Sequence, residues 1–277
     1  MTTLVARRSV LGTLGVLGAS GLVPFSRRAH AQPTASPATD AAADRPWFDL
    51  GLMPDPIMNM QLLHFLEATY AGQADVGEVL DTASRVRADD RWSWTAQWAH
   101  TAERVRALGD ASAGRRFDWS AGAAYLRAAN YYRAALIHHP DPSDPSVLEL
   151  GRKAVATYDK ALVLLRIPGT PVRIPYEQTR LPGYFFRAAR KGADAPLLIM
   201  FQGRDAWPEE SKHVIDACLV RGYHCLIVHG PGQGMAIREQ KLPFRPDWER
   251  VVSAVVNFAL RIAGVDGARV ALLGLSM

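Results

Sequence analysis

Cysteine is scarce in this chain of 277 residues, which has two, Cys218 and Cys225. So few thiols rule out a disulfide scaffold, and no His/Cys cluster has the spacing of zinc ligands. Cys218 falls on an apolar helical face and Cys225 in an apolar run, so buried free thiols are expected rather than a disulfide. Long basic runs with interleaved aromatics are also missing. The net charge of +5 comes mostly from residues 1–31, which hold Arg7, Arg8, Arg27 and Arg28 and no acid. The remainder has 28 basic against 27 acidic residues, which argues against a nucleic-acid partner. No dinucleotide fingerprint is present: in Gly230-Pro231-Gly232-Gln233-Gly234 the third glycine would have to stand at Met235 or Ile237. Pro231 further removes a backbone N–H that a pyrophosphate could use. Neither a cofactor nor a metal is expected. There is no fixed 34-residue period, which excludes a helical repeat array.

What is present begins with an export signal. Arg7-Arg8-Ser9-Val10-Leu11 precedes an apolar, Gly-rich run from Val10 to Phe25, and Ala29-His30-Ala31 offers a small-x-small cleavage site. Residues 1–31 therefore read as a twin-arginine-type signal, with a periplasmic or extracellular destination. The run is too short and Gly-rich for a stable membrane span. Residues 32–48 read as a low-complexity linker.

Two regions with different grammar follow. Residues 49–167 carry apolar residues at helical spacing, including Met60, Leu63, Leu66 and Tyr70, then Trp94, Trp98, Ala102 and Val105. Asp75 and Asp118 are candidate helix caps, and Pro140 and Pro142 stop the long helix after Asp118. A last helix is expected from Ser146 to about Leu165. From Pro168 the pattern changes to short apolar runs broken by Gly and Pro. Strands are expected at Val172–Tyr176, Gly183–Ala188, Pro196–Phe201, His224–Val228 and Arg269–Leu275, the last three buried on both faces. Helices are expected at Glu209 to about Val220 and Asp247 to about Ile262. This order implies an α/β fold, a mostly parallel sheet under an N-terminal all-helical cap, with function at the carboxyl ends of the strands.

Three loops stand at those ends. Gly274-Leu275-Ser276-Met277 after the last strand matches the first four positions of G-x-S-x-G, a sharp bend that lifts a serine hydroxyl clear of the sheet. An ordinary strand-to-helix turn fits the same letters. Gln202-Gly203-Arg204-Asp205 follows the PLLIMF strand. His229 and the Gly-rich loop follow HCLIV, and His229 is expected to be structural or substrate-facing.

Taken with these loops, Leu126–Ala135 (LRAANYYRAA), Ile174-Pro175-Tyr176 with Leu181-Pro182-Gly183-Tyr184, Glu209-Glu210, the Gly230–Gly234 loop and Phe244–Glu249 (FRPDWE) resemble the α/β hydrolases of the FrsA-like and 2,6-dihydroxypseudooxynicotine hydrolase-like branch. The resemblance covers about residues 50–277. It implies an α/β-hydrolase core, incomplete here and spanning residues 168–277, beneath a helical cap. It implies a serine hydrolase acting on an ester or a ketone-adjacent C–C bond of a small-molecule substrate. Ser276 matches the nucleophile, Gly203 and Met277 the backbone donors for an oxyanion, and Glu210 (or Glu209) a carboxylate near the site. Tyr131 and Tyr132 are expected to pack between helices, with substrate lining as the alternative. The sequence departs from the family at Gln202-Gly203-Arg204, which lacks a second glycine and a histidine, and at His229, where an Asp is usual. In the family the triad Asp and His follow the nucleophile, whereas all eight histidines here precede Ser276. The expectation is therefore a fragment of a longer gene product, or else a truncated product. Expressed alone it is expected to be insoluble and without esterase turnover. Two alternatives are a non-catalytic binding protein on the same fold and a partner-binding helical module. A homodimer is a possible assembly.

Overall fold

The computed structural model describes residues 51–189, 194–204 and 206–276. The expected export signal, the linker and Met277 lie outside them. Five helices come first: α1 (Pro56–Glu67), α2 (Val76–Arg85), α3 (Arg91–Gly114), α4 (Asp118–Ile137) and α5 (Pro145–Leu164). Their starts follow from carboxylate caps. Asp55, Asp75, Asp90 and Asp144 accept from the backbone N–H of Ile57, Glu78, Ser93 and Ser146 at 2.8–3.0 Å. Pro56 and Pro145 occupy first-turn positions where no N–H is needed. Asp118 departs from expectation: it is the first helical residue of α4, and Phe117 holds the cap position without a side-chain bond. An acid in the first turn still complements the helix dipole, so the same residue type marks the start from one position further in.

The helical region packs around aromatic rings. Trp98 lies 4.8 Å from Phe65, 5.5 Å from Trp94 and 5.6 Å from Tyr131, centroid to centroid. Trp94 Nε1 donates to the Ala134 carbonyl at 2.8 Å, which satisfies its buried N–H. Tyr131 and Tyr132 are fully buried among helices, and the Tyr131 hydroxyl meets Glu78 Oε2 at 2.8 Å. These tyrosines pack, as expected.

The second region is a five-stranded sheet. It contains β1 (Gly169–Tyr176), β2 (Thr179–Phe186), β3 (Ala195–Phe201), β4 (His224–Val228) and β5 (Val265–Gly274), in the order β1-β2-β4-β3-β5. β4, β3 and β5 run parallel, while β1–β2 and β2–β4 are antiparallel. The sheet is thus mixed, with β2 alone running against the other four strands. The reason is local: Glu177-Gln178 is a two-residue turn with Glu177 at φ +45°, and such a turn forces a hairpin. Between the strands lie α6 (Lys212–Val220), α7 (Gly234–Arg238) and α8 (Glu249–Ala259). The expected helix from Glu209 begins instead as a short 3-10 turn, Pro208–Glu210, before α6.

β3 and β4 are buried nearly throughout, as their continuous apolar runs require. β5 is not. Although RVALLGL reads like a buried strand, only Val265 of β5 is buried, and Leu272 is 54% exposed. The strand pairs with β3 alone among the described residues, so apolar composition had no second neighbour to meet. Both cysteines are buried and free. The neighbouring Cys218 and burial push the Cys225 thiol well up, as suits an inert packing residue.

Candidate active site

The parallel register of β3 and β5 sets Phe201 opposite Gly274, and the Leu275 N–H donates to the Phe201 carbonyl at 3.0 Å. The two chains therefore leave the sheet side by side, one into Gln202-Gly203 and the other into Ser276. Ser276 has φ +57°, a left-handed backbone that a non-glycine residue adopts at a cost. A Cβ on Gly203 would stand 2.8 Å from Ser276 Cβ and 3.3 Å from its Oγ. Only glycine fits at that approach. The structure thus brings together Gly203 and Ser276, two of the residues singled out from sequence. The third backbone candidate, Met277, lies outside the described residues.

A layer of side chains beneath fixes this loop. Gln233 Nε2 donates to the carbonyls of Gln202 and, at 3.2 Å, Gly203, while its Oε1 accepts from Gly230 N–H at 3.0 Å. One amide so ties the turn after β3 to the turn after β4. Gly234, at φ +40°, approaches the His229 ring so closely that a Cβ would overlap Nδ1. That closeness lets the Met235 N–H donate to Nδ1 at 3.2 Å. The ring proton then sits on Nε2, 3.2 Å from Glu209 Oε1. Both residues are buried, and Trp207 packs edge-on against the imidazole at 5.5 Å. Both ring nitrogens of His229 are engaged by these neighbours.

Glu210 sits elsewhere than Glu209. Its Oε1 accepts from the Trp207 N–H at 3.1 Å, and its Oε2 lies 2.9 Å from Arg133 Nε on α4. It therefore joins the helical region to the loop region. A cavity of about 880 Å³ opens there, walled by Phe65, Asn130 and Arg133 from the helices and by Gln202, Gly203 and Leu275 at the strand ends. That size suits a small molecule. Among the described residues no three His, Cys, Asp or Glu side chains gather as a metal site would need. No helix among them is long and apolar enough to cross a membrane.

Sequence reasoning missed Arg133, although it quoted the helical motif around it. A second arginine, after Arg127, set among the alanines and tyrosines of α4 was the available signal. It also missed Gln233 as the loop's clamp, because hydrogen bonds between two distant turns leave no periodic trace.

No family model matches the chain. Curated relatives do. The hydrolyase poxO of Penicillium oxalicum is 35% identical over 230 residues, covering 79% of this chain and 55% of its own. The hydrolase acrC of Aspergillus aculeatus is 35% identical over 81% of this chain and 57% of its own. The α/β hydrolase pydG of an Acremonium species is 33% identical over 73% and 48%. The chain thus spans about half the length of the curated relatives it matches. Among solved structures, the 2,6-dihydroxy-pseudo-oxynicotine hydrolase superposes with a TM-score of 0.62 at 22% identity, covering 76% of this chain and 57% of that one.

Proposed function

Starting from the fact that the chain belongs to the α/β-hydrolase superfamily, we propose that the protein is a serine hydrolase whose nucleophile is Ser276. The observation that carries this reading is the strained Ser276 backbone held against Gly203 at the ends of two parallel strands. Ser276 Oγ attacks a substrate carbonyl, and the negative charge that develops on the carbonyl oxygen is received by backbone N–H groups at the Gly203 turn and at Met277. Collapse of the tetrahedral intermediate breaks the C–O or C–C bond and expels the alcohol or carbon leaving group, which takes the proton removed from the serine, and the acyl group left on Ser276 is released by water as a carboxylic acid. In the superfamily the general base and its orienting acid follow the nucleophile in chain order. The substrate is a small molecule with an ester or a ketone-adjacent C–C bond, bound in the cavity between helices and strand ends. A helical region tied to the loops by the Arg133–Glu210 pair shapes that cavity.

The test is covalent labelling of the full-length protein by a fluorophosphonate, followed by peptide mass spectrometry. Modification of Ser276, absent from Ser276→Ala, is the expected result. An unlabelled, folded protein would instead favour a binding protein on the same fold. The proposed route to its compartment is export through Arg7-Arg8. Arg7→Lys with Arg8→Lys should leave the protein in the cytoplasm, as cell fractionation would show.

A further inference from the structure

We propose that the cavity takes a ligand carrying a carboxylate, and that Arg133 is the group that recognises it. This rests on the reading of the cavity as a hydrolase substrate pocket and names the class of substrate. Arg133 reaches the cavity from α4 and is 8% exposed. A guanidinium has five N–H donors in a planar fork. Glu210 Oε2 lies 2.9 Å from Nε as an ion pair, but the buried Nε has no hydrogen-bond partner among the described residues, and the guanidinium lies 5.9 Å from the Phe65 ring centre. Buried donors without acceptors are costly, and a planar two-oxygen acceptor matches the geometry of this fork.

The choice of a carboxylate comes from these donors and not from bulk charge. Glu67, Glu210, Asp216 and Arg221, with His64 and His213, also line the cavity, and their balance is not basic. Lys212 pairs with Asp216 at 2.5 Å, and Glu210 is turned toward Arg133 and the Trp207 N–H. The free face of the guanidinium is therefore the place where an anionic oxygen gains most. The carboxylate would orient the substrate without taking part in its cleavage.

Benzoate and its neutral isostere benzamide separate this idea from simple apolar binding. Titrated calorimetrically into the protein, benzoate should bind at least about tenfold more tightly than benzamide. Arg133→Gln should abolish that preference, and Arg133→Lys should restore part of it. Should Arg133→Gln fail to fold, Glu210→Gln decides: it removes the neighbouring negative charge and releases Nε, so benzoate should bind several-fold more tightly. Equal affinity for the two probes, an unchanged preference in Arg133→Gln, or no gain in Glu210→Gln would overturn the proposal. Because binding is read without turnover, its failure leaves the Ser276 labelling result standing, and the reverse holds too.

Discussion

The helix α4 and the strand β5 have similarly apolar sequences and opposite fates. Fourteen of the twenty residues of α4 are buried, whereas one of the ten residues of β5 is. α4 has weak amphipathic character, yet it lies between α3 and α5 and carries the aromatic core on a face lined with small alanines. β5 has the run Val270-Ala271-Leu272-Leu273, but it meets a partner strand along one edge only. Burial is thus a property of the neighbours an element has, and composition only states what burial would be worth. The same contrast divides stability from function. The helical region is held by packing, while the strand ends carry strain and close approach at Ser276.

The sharpest way to break this comparison is to remove the same side chain from both elements. Leu126 on α4 is 2% exposed and Leu272 on β5 is 54% exposed. Leu126→Ala should cost about 2–5 kcal/mol and Leu272→Ala less than about 0.5 kcal/mol, as read by denaturant unfolding. Equal costs would show that β5 is as buried as its letters suggest.

Next in size is the effect of a methyl group at Gly203. Because its Cβ would stand 2.8 Å from Ser276 Cβ, Gly203→Ala should slow fluorophosphonate labelling by about a hundredfold. The unfolding midpoint should move little. A large loss of stability with unchanged labelling would place Gly203 among packing residues.

A smaller effect concerns the exposed loop before α8. Arg245 holds the Asp247 carboxyl down at about pH 2 and also reaches Glu177 at 2.6 Å, tying the loop to the β1–β2 turn. Asp247 has its pKa lowered by folding, so its contribution is present above the ordinary carboxylate pKa. That contribution fades as pH falls from about 4 through about 2. Asp247→Asn should flatten that part of the thermal stability profile, by a small amount because the pair is partly open to solvent screening.

How much of this was legible beforehand depends on the range of the interactions. Helices α1 to α5 were readable from local spacing and from caps such as Asp75, because their rules act within one or two turns. The strands β3 and β4 were readable as continuous apolar runs. The hairpin was not, since Glu177-Gln178 lacks the usual Asn-Gly letters, and neither was the exposure of β5, which depends on a neighbour. At the candidate site, the meeting of Ser276 and Gly203 was legible because glycine and serine in strand-end bends leave a local pattern. Gln233, which clamps a turn 30 residues away, and Arg133, which meets Glu210 from another region, were hidden because long-range hydrogen bonds have no period.

The account depends most directly on where an anion would sit relative to the strand ends. A crystal structure of the full-length protein with a phosphonate bound to Ser276 measures this. The expected result is a phosphonyl oxygen within about 3 Å of a backbone N–H at the Gly203 turn. A phosphonate on a different residue, or one on Ser276 whose oxygens point away from that turn toward solvent, would contradict it.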